Sequence, residues 1–145
     1  MITYLFIFCC SGAVLVFLPG EAEISSVMKE LNKGETKLVI YPLHSRLPFE
    51  DAQKIFEPVK AGHRKVILST NMAESSLTIP DVMFVIDFCL TKKLVADPVT
   101  NYSALQLVWA DKNSCEQRKG RAGRVRYAYN YCCDIMSLFM AFPSF

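Results

Sequence analysis

The chain has 145 residues, of which 52% are hydrophobic and 21% charged, and its formal net charge is +2. This length suits one globular domain with a real core, and the composition excludes a disordered chain. The small net charge excludes binding of anions through a general basic field, so any anion site must be local.

The six cysteines are spread along the chain without a C-x-x-C spacing. They are Cys9, Cys10, Cys89, Cys115, Cys132 and Cys133. This spacing argues against zinc and predicts no metal ligands in the chain. No credible secretory signal accompanies them, which argues against a disulfide framework. We therefore expect reduced, intracellular and mostly buried thiols.

The first twenty residues carry no charge. A signal peptide or membrane anchor would explain such a run, but no Lys or Arg precedes it and Ser11-Gly12 divides it. A buried strand at Val14–Leu18, stopped by Pro19-Gly20, is the alternative that the run length favours. Residues 1–10 then form an appendage, and we expect no contact with a membrane.

Helices and short apolar strands alternate after this run. A single apolar stripe predicts a helix over 21–32. A second helix is predicted between Pro48 and Pro58, with acidic residues in its first turn. Short apolar runs predict strands at 37–41, 64–70 and 82–87. The alternation predicts an α/β fold with a mostly parallel sheet flanked by helices.

The pattern changes after Asp87. The runs "KLVA" and "YSALQLV" flank the turn-rich "DPVTN" and predict an inserted β-hairpin. Asn113 and Glu116 match a capping box for a short helix from Ser114 to about Gly120. Tyrosines alternate at 127, 129 and 131, which is compatible with one more strand, and the apolar tail 126–145 is otherwise unassigned.

The stretch "QRKGRAGR" (residues 117–124) places an arginine at every third residue and small residues between them. These arginines are Arg118, Arg121 and Arg124. A guanidinium offers a planar fork of donors that matches phosphate oxygens, and small neighbours let a ligand approach closely. Gln117 adds an amide that can orient a water. By spacing alone, a phosphate site and a solvated basic patch or localisation signal are equally compatible with this stretch.

Two further stretches follow predicted strands. "STNMAESSLTI" (69–79) begins at the carboxyl edge of the sheet, where open α/β folds bind ligands, and six of its eleven residues are Ser, Thr or Asn. An ordinary capped turn is its structural alternative. "YPLHSRLP" (41–48) contains His44, which has no carboxylate or nucleophile at a motif spacing. A loop histidine with a hydrogen-bonding role is therefore favoured over a catalytic one.

Four stretches, "FLPG", "YPLHSRLP", "STNMAESSLTI" and "QRKGRAGR", in this order resemble the second RecA-like domain of a DExH-box helicase of the DEAH/RHA group. This resemblance implies a helicase C-terminal domain over 11–125. The amino-acid sequence of residues 85–125 is similar to that of the tudor-domain helicases of the germline piRNA pathway. It implies an ATP-dependent RNA helicase parent, a role in piRNA-mediated transposon silencing, and a cytoplasmic location in germline perinuclear granules.

The resemblance also implies roles for individual residues. Arg121 and Arg124 correspond to arginine fingers on the triphosphate, Gln117 to a contact with the γ-phosphate or the attacking water, and Arg118 to a support of the loop. The nucleotide-binding positions are Phe56, Glu74, Thr78 and Asp81. The RNA-binding positions are Thr70, Asn71, His44 and Ser45. The hairpin at 94–108 corresponds to one that wedges or guides the RNA strand.

Some features depart from the family. Pro80 stands where these helicases often have an Asp near the nucleotide, beside Asp81, and "DFC" at 87–89 replaces "DPG". The chain contains neither G-x-x-x-x-G-K-[ST] nor an acidic magnesium motif.

The resemblance therefore implies that ATP and Mg²⁺ are shared with a first RecA-like lobe of the same parent, which holds the metal. It also implies single-stranded RNA as a ligand, with tudor or piRNA-pathway proteins as partners. The alternative is a non-catalytic fragment or pseudo-enzyme that binds RNA or protein.

Overall fold

A computed structural model describes residues 12–34, 37–75, 77–96 and 101–121, and the backbone of 129–132. The strands of this part of the chain are β1 (Ala13–Phe17), β2 (Leu38–Leu43), β3 (Arg64–Ser69), β4 (Val82–Asp87), β5 (Leu90–Ala96), β6 (Ser103–Trp109) and β7 (Tyr129–Cys132). The helices are α1 (Glu21–Asn32), α2 (Phe49–Gln53), α3 (Met72–Ser75) and α4 (Lys112–Lys119), and a 3₁₀ turn covers Lys54–Phe56.

Five parallel strands form the central sheet, in the order β2-β3-β1-β4-β7. β1 lies in the middle, and all five of its residues are buried, as expected for a continuous apolar run covered on both faces. β2 pairs only with β3 and therefore forms an edge of the described sheet. The α/β fold with a mostly parallel sheet is confirmed.

α1 covers one face of the sheet. Its bounds match the predicted helix residue for residue, and Ile24 packs into a cluster with Val14, Val16 and Val66. Glu21 and Glu23 lie in its first turn, where the helix dipole favours negative charge. The apolar stripe read from the sequence is therefore the surface that the helix buries.

The opposite face, which we call the Leu15 face, is defined by a second core cluster. Its buried members are Ala13, Leu15, Phe17, Leu43, Ile55, Ile67, Ala73, Ile79, Val82 and Val85. The 3₁₀ turn, α3 and residues 77–79 contribute Ile55, Ala73 and Ile79 to it. These connecting segments carry three of the candidate site residues, Phe56, Glu74 and Thr78, on the side of the Leu15 face.

β5 and β6 form the inserted antiparallel hairpin, separate from the main sheet. The turn at 97–100 lies outside the described residues. Lys92 Nζ pairs with Glu23 Oε1 at 2.9 Å and so ties the hairpin to the start of α1. Gly20 lies against this pair, since a Cβ there would come within 2.7 Å of Lys92 Nζ. The predicted hairpin is confirmed.

Several bounds differ from the sequence predictions. β2 continues to Leu43 instead of ending at 41, because an edge strand tolerates Pro42. The cap of α4 is Asp111 and not Asn113: the Asp111 side chain accepts a hydrogen bond from the Ser114 N–H, so the helix begins at Lys112. β7 supplies the further strand that the alternating tyrosines indicated.

The apolar N-terminal run behaves as a strand where it is described. Ala13–Phe17 is β1, close to the predicted 14–18, and residues 1–11 lie outside the described residues. In the described part of the chain, no helix has the length and apolarity needed to cross a membrane. Cys89 and Cys115 are half-buried instead of buried, because they lie at the base of the hairpin and not in either core cluster.

Candidate functional site

The predicted RNA-binding residues lie together at the carboxyl edge of the sheet. The Thr70 N–H donates to the Leu43 carbonyl at 3.1 Å, which joins the end of β3 to the end of β2. Ser45 and Asn71 are exposed. His44 is half-buried, and its Nδ1 has no hydrogen-bond partner among the described residues. Two stretches that are distant in sequence therefore form one polar edge.

Thr70 also takes part in the turn that opens α3. Its hydroxyl accepts a hydrogen bond from the Met72 N–H at 3.4 Å, and its carbonyl accepts one from the Ala73 N–H at 3.4 Å. The Ser69 hydroxyl donates to the same carbonyl at 2.8 Å. The turn-cap alternative therefore has a structural basis, and it coexists with an edge position suited to a ligand.

The segment 70–81 connects two edges of the sheet, and we call it the crossing segment. It leaves β3 at the carboxyl edge of the sheet. Because β3 and β4 flank β1 and both run parallel to it, the segment must cross to the amino edge, where β4 starts. At its far end the Asp81 carbonyl accepts a hydrogen bond from the Ala13 N–H at 2.8 Å. Ala73 and Ile79 anchor it in the Leu15 face, while Asn71 and Thr78 are exposed.

Arg118 is the largest fully buried side chain of the described residues, with only 2% of its surface exposed. Its Nε donates to Glu74 Oε2 at 3.0 Å, and its Nη1 donates to Asp87 Oδ1 at 2.9 Å and to the Leu90 carbonyl at 3.3 Å. The guanidinium carbon lies 5.1 Å from the centre of the Phe17 ring. Arg118 therefore ties α4 to the crossing segment, to β4 and to the hairpin.

The surroundings of Arg118 shift the pKa of its guanidinium. Burial lowers the pKa of the guanidinium, but the carboxylates of Asp87 and Glu74 raise the pKa by more, so it lies above its ordinary value. The Glu74 side chain is 14% exposed and is held in this ion pair. A residue predicted to contact nucleotide is thus placed where it orients the arginine stretch.

Arg121 follows α4 and folds back onto the crossing segment. Its Nη1 donates to the Leu77 carbonyl at 3.3 Å, and its side chain lines a small cavity together with Leu15 and Thr78. Gly120 has α-helical angles (φ −65°, ψ −4°), so the chain does not turn sharply away from the helix axis there. Gln117 is exposed on α4, and Arg124 lies outside the described residues.

A buried lysine that the sequence analysis missed connects two other candidates. Lys65 Nζ donates to the Ile55 carbonyl at 2.7 Å and lies 2.8 Å from Asp81 Oδ2, and its side chain is 2% exposed. Ile55 precedes Phe56, whose ring is 45% exposed. Lys65 therefore holds the turn that carries Phe56 beside Asp81. Its sequence signal is a charge beside Arg64 at the start of a strand that continues as an apolar run.

Comparison with known proteins identifies the family of this domain. The model of the helicase conserved C-terminal domain matches residues 8–126. The chain is 55% identical to "ATP-dependent RNA helicase TDRD9" of Mus musculus over 121 residues, which cover 83% of this chain and 9% of that protein. It is 48% identical to "Probable ATP-dependent RNA helicase spindle-E" of Drosophila persimilis over 120 residues, covering 79% of this chain and 8% of that protein.

A solved structure shows the same fold. The crystal structure of the E. coli DExH-box NTPase HrpB superposes with a TM-score of 0.80 at 35% sequence identity, covering 89% of this chain and 16% of that one. The chain thus spans less than a tenth of the length of the curated relatives described above. The chain belongs to the helicase conserved C-terminal domain family, as the second RecA-like domain of the DExH-box, DEAH/RHA type.

Proposed function

We propose that this chain acts as the second RecA-like lobe of an ATP-dependent RNA helicase. The observation that carries the proposal is the packing of the arginine stretch on the crossing segment. Arg118 bonds Glu74 and Arg121 bonds the Leu77 carbonyl, although each pair is separated by 44 residues in sequence. The surface formed by these two segments would face ATP held by the first lobe.

The chemistry of this surface suits a triphosphate. Arg121 lies beside the exposed Thr78, and Gln117 is exposed one turn earlier on α4. To act as a finger, Arg121 must leave the Leu77 carbonyl, and a hydrogen bond from a charged donor contributes only about 1.5–3 kcal/mol. Arg121, with Arg124, would then stabilise the charge of the transferred phosphoryl group, an effect of roughly 10³–10⁵ in rate.

The other nucleotide contacts follow the same face. The exposed ring of Phe56 offers a stacking surface for a base, on a turn held by Lys65. Mg²⁺ needs oxygen ligands, but Glu74 and Asp81 are both paired with buried cations. This supports a metal held by the partner lobe, with ATP bound between the two lobes.

The polar edge at 44–45 and 70–71 would contact single-stranded RNA. The crossing segment starts at this edge and ends at Asp81 on the nucleotide side, so one continuous segment joins both ligands. It would report bound RNA to the ATP site through Glu74 and Thr78. The proposal includes the biological setting implied by the resemblance: piRNA-mediated transposon silencing with tudor or piRNA-pathway proteins, in cytoplasmic granules of the germline.

The test uses the full-length protein that contains this chain. Arg121→Ala should lower kcat for RNA-stimulated ATP hydrolysis by about 10³-fold with little change in KM. Arg124→Ala should behave alike. Lys119→Ala is the matched control, because Lys119 is an exposed cation of the same stretch. Equal losses for Arg121→Ala and Lys119→Ala would favour a basic patch and a non-catalytic module.

A further inference from the structure

Three side chains of metal-binding type meet at the base of the hairpin. They are Asp87, Cys89 and Cys115, and one ligand atom of each lies within 4.8 Å of the other two. Asp87 ends β4, Cys89 immediately precedes β5, and Cys115 lies in α4. None of them belongs to the nucleotide or RNA candidates, so this cluster is separate from the site proposed above.

The backbone holds Cys89 in an unusual conformation. Its φ of 54° lies in the left-handed region, which is unfavourable for a residue with a side chain. The Cys89 N–H donates to Asp87 Oδ1 at 2.8 Å, and its carbonyl accepts from the Ala110 N–H at 2.8 Å. These bonds fix the thiol beside α4 and beside Asp87. They also hold the left-handed backbone of Cys89 in place.

Hydrogen-bond donors that are not themselves ligand atoms of the cluster orient the Asp87 carboxylate. Two hydrogen bonds end on Oδ1 of its side chain, one from Arg118 Nη1 at 2.9 Å and one from the Cys89 N–H at 2.8 Å. One carboxylate oxygen of Asp87 lies within 4.8 Å of both thiol sulfurs and would coordinate the ion. Donors that hold a ligating carboxylate in this way are a usual part of a protein metal site.

The charges of the cluster permit a divalent ion. Arg118 offsets one of the two carboxylates around it, Glu74 and Asp87, and leaves one negative charge. A divalent ion that displaces the two thiol protons adds no net charge, because metal binding releases those protons. Thiolates formed without a metal would instead add two negative charges next to carboxylates.

We propose that Cys89, Cys115 and Asp87 bind Zn²⁺ with a water as the fourth ligand. Zinc takes thiolate and carboxylate ligands in a tetrahedral arrangement, in which two sulfurs lie about 3.8 Å apart. The donor atoms lie within 4.8 Å of one another and need to approach by about 1.3 Å at most to reach it. Mg²⁺ prefers oxygen donors, so this site and the magnesium of the partner lobe would not compete.

The ion would fasten the hairpin base to α4. Cys89 leads directly into β5, while Cys115 lies two residues before Gln117 and three before Arg118. Zinc would therefore add a link between the hairpin and the helix that carries the arginine stretch, parallel to the bond from Arg118 to the Leu90 carbonyl.

The test is metal binding to the full-length protein that contains this chain, kept reduced and first treated with a chelator. Co²⁺ alone is the probe, because thiolate ligands give it a charge-transfer band and a tetrahedral site gives it intense visible bands. Cys89→Ser and Cys115→Ser should each remove these bands and weaken binding by at least about 100-fold. Cys10→Ser controls for the loss of a thiol elsewhere in the chain. Zn²⁺ should displace Co²⁺ from the wild-type protein.

Thermal melting guards against variants that fail to fold. Zn²⁺ should raise the melting temperature of the wild type and of Cys10→Ser above that of Cys89→Ser and Cys115→Ser, while the metal-free proteins melt alike. Cobalt spectra that are identical in all four proteins would overturn the proposal. So would a Cys89–Cys115 disulfide found by mass spectrometry together with no metal uptake by the reduced protein.

Discussion

Arg118 and Glu74, which lie 44 positions apart in the sequence, form a buried ion pair with Nε 3.0 Å from Oε2. Asp87 occupies the other side of the same guanidinium. One cation thus neutralises part of the charge of two carboxylates from different elements. Its removal leaves both carboxylates in a buried setting, where unpaired charge is costly.

We expect Arg118→Ala to lower the free energy of unfolding by about 3–5 kcal/mol. Arg46→Ala is the matched control, because Arg46 is 83% exposed and lies 3.6 Å from Glu21. It should cost less than about 1 kcal/mol, as exposed pairs do. Denaturant unfolding of the full-length protein, followed by a probe in this domain, measures both.

A double-mutant cycle separates the pair from general damage. Arg118→Ala combined with Glu74→Gln should cost less than the sum of the two single changes, because the second change removes a charge that the first has left unpaired. Additive losses would mean that Arg118 and Glu74 do not stabilise each other, and the supporting role would then be wrong.

Lys65→Met should act on the turn that carries Phe56. The change keeps the length of the buried stem but removes the donor to the Ile55 carbonyl and the partner of Asp81. We expect a loss of about 1–3 kcal/mol in stability, because a buried carbonyl is left without its hydrogen bond. We also expect a raised KM for ATP with a smaller effect on kcat. Lys60→Met, an exposed lysine near the same turn, is the control, and an equal KM for both variants would contradict the positioning role.

The cap of α4 gives a dependence on pH. The hydrogen bond from the Ser114 N–H lowers the pKa of Asp111 below its ordinary value, and the nearby Lys93 ammonium lowers it further. A lowered pKa means that Asp111 stabilises the fold above its unfolded pKa of about 4, and that this contribution is lost as the pH falls through the folded value. Near neutral pH, Asp111→Ala should therefore lower the melting temperature, and the difference from wild type should shrink in acid.

Asn113 provides the control for this prediction, since the sequence pattern had placed the cap there. Asn113→Ala should leave the melting temperature almost unchanged at every pH, because the Ser114 N–H donates its hydrogen bond to Asp111 Oδ1. A larger effect of Asn113→Ala than of Asp111→Ala would contradict the observed cap.

Thr70→Ala tests the link between RNA and ATP in the full-length protein. We expect RNA-stimulated ATPase activity and unwinding to fall much more than basal ATPase activity, because Thr70 stands where the crossing segment leaves the polar edge. Thr70→Ser keeps the hydroxyl and should retain the stimulation. As a turn cap alone, Thr70 would contribute about 1 kcal/mol of stability. If Thr70→Ala lowers the melting temperature but leaves the ratio of stimulated to basal rate unchanged, Thr70 acts as a turn cap alone.

The order and type of most elements follow from the sequence, but no local pattern predicted α3 or the 3₁₀ turn. Local patterns suffice for the others: the stripe of α1, the apolar run of β1 and the turn-rich tip of the hairpin each depend on neighbours a few residues away. The four ordered stretches also determined the family, since they match as strings. The candidate residues at 44–45, 70–71 and 117–121 could be named from the same strings.

The contacts between these residues become visible in the folded domain alone. These contacts join positions far apart in the chain. They include the bond between Arg118 and Glu74, the bond from Lys65 to the Ile55 carbonyl, and the proximity of Cys89 to Cys115. No periodicity or motif spacing encodes such contacts, because they arise when parallel strands force the chain to cross back over the sheet. The same crossing joins the polar edge to Asp81. No local pattern encodes that path, which the proposed coupling of RNA to ATP would use.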